Sequence, residues 1–264
     1  MENLLPYLLT GACTGVLSGL LGVGGGLIIV PVLAFTFAAA GFPAAHVMQM
    51  ALGTSLATII FTSVSSTHAH HHRGGVSWTL VQRIIPGVII GTLLGACLVS
   101  QMSTFWLKGI FVIFEFYVGT QMLLEFCPNP SGRHPSDTVM LFAGTLIGCL
   151  SSLVGIGGGT LSVPFLLCCN YPMRQAIGTS SAIGLPIAIS ASAGYIFAGQ
   201  RIPDLPSLSA GFIYLPALAG IALSSVITAP FGAWLTHRLP VNILRKLFAL
   251  LLYAVSARMA WSLM

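Results

Sequence analysis

SGLLGVGGGLIIVPVL, Ser18 to Leu33, decides how this chain is read, because the chain carries it twice. Shifted by 133 positions, Ser151 to Leu166 reads SSLVGIGGGTLSVPFL, identical at nine of sixteen positions. Each copy sets three consecutive glycines (Gly24 to Gly26, Gly157 to Gly159) in apolar sequence, five residues before a proline (Pro31, Pro164). Glycine frees the backbone and proline removes a donor, so each copy interrupts a helix. Helix breaks at matching places in two halves of an apolar chain mark the substrate site of a membrane transporter.

The surroundings of the motif are those of a membrane protein. Of 264 residues, 56% are hydrophobic and only 6% charged, with a mean hydropathy of +0.95. A soluble domain carries about 25% charged residues. The apolar runs have the length of helical spans, and the alternation of a β-barrel is absent. The net charge of +5 is scattered near segment ends and not gathered on a stripe, which argues against nucleic acid. Six cysteines (Cys13, Cys97, Cys127, Cys149, Cys168 and Cys169) show no CxxC spacing and read as small hydrophobes in lipid. The start, MENLLPYLL, has no basic n-region and reads as mature sequence.

Apolar segments fall at about 4–21, 27–40, 46–67, 79–100 and 105–126, then 138–154, 160–170, 174–198, 208–234 and 241–263. The polar, proline-containing stretch Cys127 to Asp137 separates them five and five. The expected organisation is an N-terminal repeat over 1–126, a cytoplasmic linker over 127–137 and an inverted C-terminal repeat over 138–264. Duplication continues past the opening motif, since Gly53-Thr54-Ser55 matches Gly178-Thr179-Ser180 at an offset of 125. Leu107-Lys108-Gly109-Ile110-Phe111 likewise matches Leu244-Arg245-Lys246-Leu247-Phe248.

Residues 4–40 as one straight helix would run about 55 Å, against a hydrocarbon core of about 30 Å. The glycine run must therefore break the segment. With five segments per half, Arg73, Arg83, Arg133, Arg174, Arg238, Arg245 and Lys246 fall on one side, and Lys108, Arg201 and Arg258 on the other. Merging the first two segments of each half removes that bias, so the positive-inside rule favours an inverted second half, a cytoplasmic linker and external termini. The fold class expected is an all-α integral membrane protein with two inverted repeats, 8–10 transmembrane segments and broken half-helices at the glycine motifs.

Several residues are candidates for chemistry. The glycine runs are neither a P-loop nor a Rossmann fingerprint. Unwound backbone in lipid needs partners, and N–H groups at the start of a following half-helix attract anions. Close helix packing is the plainer alternative. Thr54, Ser55, Thr179 and Ser180 either line the site or back-bond to their own helices, and Gln49 and Gln175, one turn earlier, would face the same cavity. Glu115 lies mid-segment, where a carboxyl group must be protonated, paired (Arg83 or Arg258 are at hand) or wet. It is the candidate for proton coupling. His68, His70, His71 and His72 read as a polar loop, with a metal or pH-sensing role as the alternative and no metal ligand assigned. Trp78 reads as an interfacial anchor. No arrangement of catalytic residues supports an enzyme. Gly91 and Gly95 suit either internal packing or a homodimer seam.

The two GxGGGxxxVPxL motifs, the paired GTS segments, His71 to Trp78, Tyr214-Leu215-Pro216-Ala217 and Leu244 to Phe248 resemble the sulfite exporter TauE/SafE family of membrane transporters along essentially the whole chain. The resemblance implies an inner-membrane permease for sulfite, sulfonates or related small anions, coupled to an ion gradient (H+ or Na+), with no cofactor. The expected binding set is Gly24, Gly25, Gly26, Gln49, Thr54, Ser55, Gly157, Gly158, Gly159, Gln175, Thr179 and Ser180. A passive anion channel and a metal carrier using the histidine tract are the rival readings.

Overall fold

A computed structural model describes residues 4–21, 24–124, 135–235 and 241–262, and shows ten helices among them. They are α1 (Leu4–Leu21), α2 (Gly26–Ala39), α3 (Val47–His71), α4 (Trp78–Gln101), α5 (Thr104–Leu124), α6 (Asp137–Val154), α7 (Gly159–Cys168), α8 (Met173–Gly199), α9 (Leu215–Leu235) and α10 (Val241–Trp261). Six of them, α3 to α6, α8 and α9, are long and apolar enough to cross a membrane. At 14 and 10 residues, α2 and α7 reach only about 21 and 15 Å, too short for a 30 Å core. They are the broken segments. The chain is an all-α integral membrane protein.

The helices pack in pairs that belong to opposite halves of the chain. α1 lies along α9 and α6 along α4, while α8 and α3 join these two flanks through the middle; α5 packs on α10. Contact levels give the directions. Ser66 of α3 meets Ser181 of α8, and Gly53, earlier in α3, meets Tyr195, later in α8, so these helices run antiparallel. α5 and α10 are also antiparallel, through Thr120 to Tyr253 (2.7 Å) and Ser256 to the Val112 carbonyl (3.2 Å). By contrast Gly87, Gly91 and Gly95 climb α4 in step with Leu141, Thr145 and Cys149 of α6, a parallel pair, as do Gly11 and Gly15 with Ile221 and Ser225 of α9. An element lying antiparallel to its own copy is the mark of inversion.

Glycine makes the two parallel interfaces possible. A Cβ at Gly91 would overlap the Thr145 carbonyl, one at Gly148 the Val88 carbonyl, and one at Gly15 the Thr228 hydroxyl. Backbones therefore meet directly, as small residues allow in lipid. Gly91 and Gly95 serve packing inside the chain. Large apolar side chains such as Leu94, Ile113, Phe142, Leu146, Ile227 and Leu250 point outward, toward lipid.

One end of the bundle is slightly the more basic among the described residues, with Arg73, Arg83, Arg174 and Lys246 against Lys108, Arg201 and Arg258 at the other. Arg73 follows α3, Arg174 opens α8 beside Gly75, and Arg83 of α4 binds Asp137 at the start of α6 (2.6 Å) and the Pro135 carbonyl (2.9 Å). At the other end Lys108 reaches Ser262 (3.4 Å), and Arg201 follows α8. Arg133 and Arg238, with most of the linker, lie outside the described residues.

Two local expectations are corrected. The histidine tract is no loop: His68, His70 and His71 form the last turn of α3, which ends where Gly74 adopts φ 68° and the Gly75 N–H bonds back to His70 (3.0 Å). That is a left-handed glycine terminator. Nor is 208–234 helical throughout. Leu208 (φ 70°) and Gly211 (φ 56°) turn the chain into a small antiparallel hairpin, Ser209–Ala210 with Ile213–Tyr214, before α9 begins.

Candidate functional site

The two glycine runs build the same cap twice. Gly25 (φ 78°) and Gly158 (φ 75°) are left-handed N-caps of α2 and α7, without a side-chain cap. The Gly25 carbonyl accepts from Ile28 and Ile29 (3.1 and 3.2 Å), and the Gly158 carbonyl from Leu161 and Ser162 (3.0 and 2.7 Å). The N–H groups of the first two residues of each half-helix precede these bonds, have no intrahelical acceptor and carry the positive end of the dipole. The turns touch: a Cβ on Gly24 would lie 3.2 Å from Gly157 Cα, and one on Gly26 would overlap the Gly155 carbonyl. Any side chain here would separate the two halves.

Beside this contact lies a narrow cleft, closed too tightly to admit a water molecule, lined by Ser18, Gly24, Ser63, Ser66, Gly157 and Ser181. Its serines come from α1, α3 and α8, and all are buried. The Ser66 hydroxyl donates to Ser181 (3.2 Å). No charged side chain lines it. Toward the basic end, His70 Nε2 meets the Gly19 carbonyl at 3.2 Å and ties α1 to α3.

The serines on the two sides of the glycine turns are unequal in number. At the repeat offsets, Ser63 and Ser66 correspond to Ala188 and Ala191, Ser181 to Leu56, and Ser18 to Ser151. Ser151 is fully buried, and its hydroxyl has no partner among the described residues. Ile187 fills the space where a Gly158 side chain would stand, so this second half is packed shut.

Of the residues expected at the site, Gly24 and Gly157 line the cleft, and Gly25, Gly26, Gly158 and Gly159 shape its turns. The GTS hydroxyls are engaged otherwise. Thr54 accepts from the Tyr214 N–H and Thr179 from the Ser77 N–H, both at 3.0 Å, one at each end of the α3–α8 pair. Gly53 and Gly178 admit these loops, since a Cβ would press on the Phe212 and Gly75 carbonyls. The Ser55 hydroxyl donates to the Gly155 carbonyl (2.8 Å), and Ser180 is also bonded. These motifs fasten one repeat to the other. Gln49 holds the Met102 carbonyl (2.9 Å), and Gln175 lies half-exposed at the opposite end of the bundle. Because α3 and α8 run antiparallel, the two glutamines sit roughly 35 Å apart along the axis and share no cavity.

Glu115 is fully buried in α5, and neither carboxyl oxygen has a partner among the described residues. Arg83 is engaged with Asp137, and Arg258 lies over the Phe35 ring (5.1 Å to its centroid). A carboxyl group so placed is tolerated in hydrocarbon with its proton on.

The four serines were missed by sequence reasoning, although Ser18 stands inside the opening motif and Ser181 directly after the second GTS. Their signal was difference between the repeats, at Ser63/Ala188 and Ser66/Ala191, where sameness had been followed.

Broken half-helices meeting beside a polar cleft in a multi-pass bundle define a membrane transporter. The profile described as Sulfite exporter TauE/SafE matches residues 7–259, and the chain belongs to this family. It is 37% identical over 257 residues to a probable membrane transporter protein of Haemophilus influenzae, covering 97% of each chain. Probable membrane transporter proteins of Methanocaldococcus jannaschii (28% identical, 86% of this chain and 82% of the relative) and Bacillus subtilis (23%, 88% and 90%) are also similar. No solved structure matches the chain.

Proposed function

We propose that the protein is a secondary transporter of small anions, sulfur oxyanions such as sulfite or sulfonates first among them, in the plasma (inner) membrane with its basic end cytoplasmic. The observation that carries this reading is the serine cleft at the meeting of two half-helix N-termini. Hydroxyls and backbone N–H groups supply donors there, dipoles supply the positive potential, and no cation sits close enough to trap the ion. The family's name supplies sulfite as the first candidate. Alternating access is the proposed mode, supported by the inequality of the halves: four serines stand together on one side, while Ser151 and Gly158 lie behind Ile187. Rocking one repeat against the other would exchange their roles. Counterflow of labelled sulfite, sulfonates and carboxylates in proteoliposomes tests the assignment, and absence of exchange for every anion would refute it.

Proton coupling is the proposed role of Glu115. Glu115→Gln keeps shape and neutrality but cannot release a proton. The expected result is a folded variant that exchanges anion yet no longer accumulates it under a proton gradient. Unchanged gradient-driven accumulation would assign Glu115 to packing, and Na+ would then be the coupling ion to test. A passive channel, by contrast, would show flux without accumulation in the wild-type protein.

A further inference from the structure

The last turn of α3 carries a feature independent of what the cleft transports. His68 and His72, one turn apart on the exposed face, place their Nε2 atoms 3.2 Å apart with their rings edge to face. His71 points elsewhere and accepts the Trp78 indole N–H at Nδ1 (3.2 Å). His70 is buried against Gly19. The tract therefore divides into an exposed pair and two engaged rings.

Two neighbouring ligands of one metal ion stand at a spacing fixed by bond length and angle. With metal–nitrogen bonds of about 2.0–2.1 Å, angles between 90° and 109° separate the nitrogens by about 2.9–3.4 Å. The His68–His72 spacing falls inside that range. Without metal, one ring donates its Nε2 proton to the other. On binding, that proton moves to Nδ1 of the same ring, and both Nε2 lone pairs face the ion. The site lies at the C-terminal end of α3, where the dipole favours a cation. Imidazole ligands select zinc, copper and nickel over magnesium and calcium.

We propose that His68 and His72 form a two-ligand site for a divalent transition-metal ion, with water completing the coordination shell. No cluster of three or more His, Cys, Asp or Glu side chains able to hold a metal occurs among the described residues, so this is an open, exchangeable site and not a structural cage. Its position gives it a consequence. The turn that the ion would clip together also carries His70, which ties α1 to α3 beside the cleft. Occupancy should stiffen that tie and slow transport; this second part rests on the function proposed above, while the first does not.

The test is titration of the purified, untagged protein with Zn2+ and Ni2+ by calorimetry. One equivalent is expected to bind, with no heat from Mg2+. The heat should be lost in His68→Ala and in His72→Ala and retained in His71→Ala. Absence of binding to the wild type, or binding retained in a His68→Ala/His72→Ala double variant, would overturn the site. The regulatory part is read by adding Zn2+ to the counterflow assay. Slowing that disappears in His68→Ala supports it, and equal rates with and without Zn2+ refute it while leaving the metal site standing. If no anion is exchanged in the first place, the transport reading fails and the calorimetry still decides the site.

Discussion

Leucine at both Gly25 and Gly158 is expected to abolish the proposed transport. Both residues have φ near +75° to +78°, where a side chain costs about 1–2 kcal/mol. Space is lacking as well: a Cβ at Gly25 would lie 3.0 Å from Thr14 Cβ, and one at Gly158 would overlap Ile187. The leucines must either unwind the caps of α2 and α7 or push the half-helices off their neighbours. Each outcome displaces the half-helix N-termini from beside the cleft. A Ser63→Ala/Ser66→Ala double variant separates site from scaffold, since it removes only hydroxyls. It should stay folded, with a small fall in melting temperature from the lost Ser66–Ser181 bond, and lose about tenfold or more in exchange rate, as expected when two donors of about 1 kcal/mol each are removed from an anion. Full activity in the glycine double variant would refute the place given to the turns.

Gly91→Leu is expected to leave no folded protein. A Cβ there overlaps the Thr145 carbonyl on α6, and backbone cannot swing aside as a side chain does. Ordinary overpacking costs about 1–3 kcal/mol, and here two parallel helices in contact over several turns would have to separate. Gly109, on α5, meets nothing within 4 Å of its would-be Cβ, so Gly109→Leu is the control and should express and melt like the wild type. Detergent-solubilised yield and size-exclusion profile read both. A monodisperse Gly91→Leu protein with normal thermal stability would contradict the α4–α6 packing.

Most of the architecture was written in the sequence because it is written twice. The repeated glycine–proline motif located both half-helices, and α3 and α8, like α5 and α10, run antiparallel. What stayed hidden depends on partners far away in the chain. That Thr54 would meet the Tyr214 N–H, and Thr179 the Ser77 N–H, follows only from the crossing of the two halves. A hydroxyl in an apolar helix looks the same whether it awaits a ligand or a loop. The hairpin at 209–214 was masked by its hydrophobic residues, which are buried against α3 and α8 and not in lipid. Ser63 and Ser66 are hard to pick out because they break the repeat and do not obey it, yet they set hydroxyls beside one face of the glycine turns where the other half has Ala188 and Ala191.

The central claim is that an anion binds where the two glycine turns meet, and the most direct measurement is counterflow of labelled sulfite in proteoliposomes of purified protein. The account predicts saturable exchange, competition by sulfonates, and loss of about tenfold or more in the folded Ser63→Ala/Ser66→Ala variant. Exchange that is unchanged in that variant, or absent for every anion with the intact protein, would contradict it.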